Sequence, residues 1–102
     1  QEATRYAIDI PFQVMQASFK SLEVIKAMAE TGNPNSVSDA GVGALCARAA
    51  VMGAFMNVRI NAAGYTDKVF VEEIVSKGKE IEQKTIALEQ EILKVVNDRI
   101  GL

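Results

Sequence analysis

Apolar side chains recur every three or four residues through most of the chain, and the breaks in that rhythm divide it into three. Ile8, Phe12, Met15, Phe19, Leu22, Ile25 and Ala29 form one stripe, which predicts an amphipathic helix from about Glu2 to Glu30. Pro11 falls inside it. Its ring removes one backbone hydrogen bond and crowds the carbonyl of Ala7. The stripe keeps its phase past residue 11, so a kink is expected rather than a new helix, and the freed carbonyl needs another partner, water or a ligand. Gly32 suits a C-terminal cap and Asn33-Pro34-Asn35 a turn. Ser36 then fits a helix N-cap, with Asp39 three residues on. A second helix is expected from there to about Asn61. Gly64 marks the next break, Thr66 or Asp67 the next cap, and a third helix runs to about Asp98. Val71, Ile74, Ile81, Leu88, Ile92 and Val95 carry its apolar face, with Gly78 and Thr85 as weak layers. Glu80, Glu82, Lys84, Glu89, Glu91 and Lys94 read as its solvated surface. The fold class is all-α: a bundle of long helices, three in this chain, forming part of a larger helical domain.

The middle helix is unusual in composition. It carries Gly41, Gly43 and Gly53 among many alanines, and three interior glycines cost roughly 2.5–3 kcal/mol in helix propensity relative to alanine. Small side chains offset such a cost by letting a backbone or a flat ligand approach closely. Projection at 100° per residue separates two faces. Asp39, Gly43, Cys46, Ala50, Gly53, Asn57 and Asn61 fall on one, a small-residue groove with polar groups at both ends. Gly41, Arg48, Met52, Phe55 and Arg59 fall on the other. Two readings follow from residue types alone: a tightly packed central helix with Asp39 as a first-turn acid favoured by the helix dipole, or a carboxylate at the mouth of a ligand groove.

Composition narrows the chemistry. The chain of 102 residues has a net charge of −2 and no histidine. The charge argues against a nucleic-acid binder, and the missing histidine excludes imidazole acid–base catalysis and the usual zinc sites from this segment, so no metal is expected. Cys46 is the only cysteine; an inert buried thiol in a reducing, cytoplasmic setting is expected. The run from Ala40 to Ile60 is apolar, but Arg48 near its centre costs ~2.5–3.5 kcal/mol on insertion scales, so no membrane span is expected. Gly41-Val42-Gly43 lacks the preceding strand of a dinucleotide-binding loop.

Asn33, Ser36, the run Ser38 to Ala44, Ala49-Ala50, Gly53-Ala54, Asn57-Val58 and Ile60-Asn61 together resemble the second half of the cyclodeaminase/cyclohydrolase family of folate enzymes. The stretch from Ala3-Thr4 to Ile10-Pro11 is similar to the family as well, and the likeness extends to about Val75. A Gly/Ser-rich segment of the family's first half has no counterpart here. Residues 1–102 therefore read as the C-terminal portion of a longer helical domain, expected to be inactive alone.

The resemblance implies one of two reactions. A cyclodeaminase closes 5-formiminotetrahydrofolate to 5,10-methenyltetrahydrofolate and releases ammonia, a step of histidine degradation. A cyclohydrolase adds water to the methenyl carbon to give 10-formyltetrahydrofolate. Both move protons around a carbon between two folate nitrogens, and a positioned carboxylate can serve. Asp39 is the expected catalytic group, the only acid between Glu30 and Asp67. Its place at a helix start favours the charged form, which suits a base or a cation-stabilising group. Asn33, Ser38, Asn57 and Asn61 are the candidate substrate-binding residues, although Asn33 also fits a turn former, and Asn57 and Asn61 also fit bonds to neighbouring helices. Arg48 and Arg59 are expected to pair with acids rather than to bind folate glutamates. No tightly bound cofactor is expected, only a tetrahydrofolate derivative, polyglutamylated or not, as substrate. A homodimer or higher homo-oligomer is the expected assembly. A non-catalytic helical oligomerisation or interaction module is the alternative function.

Overall fold

In the computed structural model, which describes residues 2–102, the chain forms three helices joined by short connections. Helix α1 spans Glu2–Thr31, α2 spans Val37–Ala62 after a single 3-10 turn at Pro34–Ser36, and α3 spans Lys68–Ile100. The all-α bundle of long helices expected from the apolar rhythm is what the chain adopts, with an elongated outline of 52 × 19 × 17 Å. Short links make sequential helices antiparallel. Ile25 meets Gly43 and Ala7 meets Asn61 across α1 and α2; Gly41 meets Val96 and Phe55 meets Gly78 across α2 and α3.

Helix α2 lies in the middle, and its small residues admit both neighbours. A Cβ on Gly41 would come within 3.1 Å of Val96 Cγ1, and one on Gly43 within 3.3 Å of Ile25 Cδ1. Two apolar clusters fill the bundle. Ile8, Met15, Val51, Phe55, Val58 and Ile74 form one towards the C-terminal end of α2. Leu22, Ala29, Val37, Ala44, Ile92 and Val96 form the other towards its N-terminal end. Full burial of each large aliphatic or aromatic side chain contributes about 1.5–3 kcal/mol.

The ends of the helices are held by contacts of different range. Asp67 caps α3 by accepting the Phe70 N–H at 3.1 Å, one of the two caps the sequence offered. Helix α3 continues beyond Asp98 to Ile100 and stops at Gly101, whose φ of 76° suits glycine. At the other end of the bundle, Arg99 of α3 donates to the Ala29 carbonyl at 2.7 Å and the Gly32 carbonyl at 2.9 Å. It thereby satisfies acceptors that the end of α1 leaves free. Ser36 occupies the cap position of α2, but its hydroxyl donates to the Asn33 carbonyl at 3.2 Å and makes no capping bond. The turn wins that hydroxyl because Asn33 also folds it, accepting the Asn35 N–H at 2.9 Å.

Three surface assignments change. Glu89 is buried and pairs with Arg48, which reaches it from α2; a carboxylate that deep requires a cation. Arg59 makes a different bond from the expected ion pair: its guanidinium lies over the Phe55 ring at 4.6 Å and donates to the Phe55 carbonyl at 3.4 Å. Cys46 is exposed, because the face of α2 that carries it points away from α3.

That face is open. Tyr6, Ile10, Val14, Val24 and Met28 along α1, and Val42, Leu45, Met56 and Ile60 along α2, are exposed apolar side chains at helical spacing. The segment Pro34–Ala62 is long and apolar enough to cross a membrane by length and composition alone. A helix flanked by two others needs a similar composition, and its central Arg48 is engaged with Glu89.

Candidate functional site

Pro11 generates the most informative site geometry. Helix α1 runs through it without ending, although residue 11 has no N–H to offer the Ala7 carbonyl four residues back. Asn61, near the end of α2, supplies the donor: its Nδ2 stands 3.2 Å from the Ala7 oxygen. The partner expected as water or ligand is thus a side chain 54 residues away.

Around this contact α1 and α2 form a groove of about 450 Å³. Ala7, Ile10, Pro11 and Val14 line it from α1; Ala50, Ala54, Asn57 and Asn61 line it from α2. The groove is wide open to solvent, with apolar walls and a few polar groups. The alanines keep it wide. Asn57 and Asn61 lie one turn apart on the same wall, which the 100° projection anticipates. Asn57 is exposed, while Asn61 is half-buried by its contact with α1.

The remaining candidates lie elsewhere. Asn33 sits in the turn before α2, and Ser38 and Asp39 on its first turn; all three are exposed. A straight α2 separates Asp39 from Asn57 by ~27 Å and from Asn61 by ~33 Å, at 1.5 Å per residue. One helix face therefore carries two groups of polar residues. The fold brings Asn57 and Asn61 together with Pro11 and places Asn33, Ser38 and Asp39 at the opposite end of the bundle. The opposite face of α2 is committed to α3, through Gly41 on Val96, Arg48 on Glu89 and Phe55 on Gly78.

The contribution of α1 to the groove was the part that residue types left out. Its signal in the sequence was the orphaned Ala7 carbonyl beside Pro11. Among the described residues no group of three Cys, Asp or Glu side chains is placed to hold a metal ion.

Residues 1–80 match the family model described as formiminotransferase-cyclodeaminase. Over 101 residues, 99% of this chain, the sequence is 33% identical to a methenyltetrahydrofolate cyclohydrolase of Methylorubrum extorquens, of which it covers 49%. Over 98 residues, 96% of the chain, it is 32% identical to a formimidoyltransferase-cyclodeaminase of Dictyostelium discoideum, of which it covers 18%. The chain thus spans about half the length of the first of these relatives and less than a fifth of the second.

Proposed function

Because the chain belongs to the formiminotransferase-cyclodeaminase family, we propose that it forms part of an enzyme acting on the one-carbon unit of tetrahydrofolate, with the α1–α2 groove as a folate-binding surface. The single observation that carries the placement is the groove itself. It joins a flat apolar wall of Pro11, Ala50 and Ala54 to two amide side chains, Asn57 and Asn61. A pterin presents the matching chemistry: apolar faces and an edge of alternating hydrogen-bond donors and acceptors.

The reaction is cyclohydrolysis of 5,10-methenyltetrahydrofolate or deaminating cyclisation of 5-formiminotetrahydrofolate. Similar identity to a cyclohydrolase and to a bifunctional cyclodeaminase supports the pair without separating its members. In this reading the apolar wall packs against one face of the pterin, and the amides fix its edge. Asp39 is the proposed carboxylate that stabilises the cationic carbon or takes a proton from the water or folate nitrogen that attacks it. Its distance from Asn57 places it beyond reach of a reacting carbon at that end of the same groove. Its part in the reaction therefore requires a second copy of the chain or a further segment of a longer protein to complete the site around it. Homo-oligomeric assembly belongs to the same proposal and is supported by the open apolar face of α1 and α2.

Turnover by a protein that carries this chain within a whole family domain tests the reading, with the methenyl and formimino substrates offered separately and followed by absorbance. Loss of the methenyl chromophore identifies a cyclohydrolase, and its appearance from the formimino substrate a cyclodeaminase. Folded protein inactive on both would favour the non-catalytic helical module.

A further inference from the structure

We propose that Asn61 is a positioning residue of the groove, locked by a hydrogen bond that exists only because residue 11 is proline. In an uninterrupted α-helix the Ala7 carbonyl accepts the N–H of residue 11. Proline has no N–H to give, and the Asn61 Nδ2 donates to the vacant acceptor at 3.2 Å. A carboxamide has one donor end and one acceptor end. Committing Nδ2 to α1 fixes the orientation of the whole group and leaves Oδ1 as the end free to accept. Ala7, Pro11 and Asn61 all line the groove, so the locked amide is part of its wall.

Asn57 lines the same wall one turn earlier and is exposed. The two asparagines therefore have different tasks. Asn61 is a preset acceptor, and Asn57 is the amide that turns to suit the ligand. Together they fit a flat heterocycle with an N–H donor next to a second polar group along one edge, the arrangement on the aminopyrimidinone edge of a pterin. This assignment of ligand class rests on the folate reading above.

The coupling to Pro11 makes the proposal testable in the 102-residue chain with four proteins: wild type, Asn61→Ala, Pro11→Ala and the double variant. Pro11→Ala returns an N–H to the Ala7 carbonyl and releases Asn61. In the Pro11 background, Asn61→Ala is expected to lower Tm by about 4–8 °C, the effect of one lost net hydrogen bond in a domain of this size. In the Pro11→Ala background the same change is expected to cost much less. Equal losses in both backgrounds overturn the lock.

Binding of 5-formyltetrahydrofolate to the same four proteins reads the positioning role. Asn61→Ala is expected to weaken binding about five- to tenfold when residue 11 is proline and to have little further effect when it is alanine. An equal loss in both backgrounds overturns positioning through Pro11. Unchanged binding in every variant overturns the assignment of Asn61 to the ligand surface. Wild type that fails to bind the folate overturns the ligand class assigned to this groove; the folate reading falls only if the turnover assay above is negative as well, and the stability cycle separately reports whether the lock exists.

Discussion

The ring of Phe55 on α2 occupies the space that a side chain at Gly78 on α3 would need. A Cβ built at Gly78 overlaps the ring edge, and Phe55 is 1% exposed at the heart of the bundle. The glycine in α3 is there for the phenylalanine in α2. Gly78→Ala is therefore expected to destabilise the chain by about 1–3 kcal/mol, the cost of overpacking, despite alanine's better helix propensity. Denaturant unfolding measures it, and a neutral or stabilising result would sink the packing argument.

Gly53 predicts the opposite sign. No atom lies within 4 Å of the Cβ it would carry, so packing inside the chain does not require glycine there. Gly53→Ala is expected to stabilise the isolated chain by about 0.5–1 kcal/mol through helix propensity. A measured loss of stability would show that the open face of α2 is already covered in solution.

The pair Arg48–Glu89 is asymmetric: the arginine side chain is 38% exposed and the glutamate 8%. Arg48→Ala leaves a buried carboxylate without its cation. The expected cost is about 1–3 kcal/mol, below that of a fully buried pair because Arg48 is partly solvated. Adding Glu89→Leu should restore most of it. A double variant no more stable than Arg48→Ala would contradict this account.

Arg99 ties the C-terminal end of α1 to α3 through two carbonyl oxygens. Arg99→Ala is expected to cost about 2 kcal/mol, given the strength of charge-assisted hydrogen bonds. Hydrogen exchange should accelerate over residues 29–36 before it does so elsewhere. Uniform acceleration along the chain would argue against a local tether.

The helical layout was legible because burial in a bundle imposes a period of three to four residues, and Ile8 to Ala29 keep it even across Pro11. The small-residue face of α2 was legible for the same reason. Periodicity does not say which face a neighbour covers, and that is why Cys46 was expected to be buried and emerges exposed. Glu89 sits in a run of charges that resembles a wet surface; only Arg48, arriving from another helix, accounts for its burial. Pro11 announced an orphaned carbonyl at Ala7, but its partner depends on the docking of α1 against α2, which no local pattern encodes. The separation of Asp39 from Asn57 and Asn61 follows from helical rise alone and was legible in the face projection, which sets polar groups at both ends of the small-residue groove.

The most direct test of the folate groove is a map of amide shifts in the 102-residue chain titrated with 5-formyltetrahydrofolate. Shifts are expected at the Asn57 and Asn61 side-chain amides and along residues 7–14 and 50–61, with residues 33–39 at the far end undisturbed. Shifts confined to residues 33–39, or none at saturating folate, would contradict the folate groove.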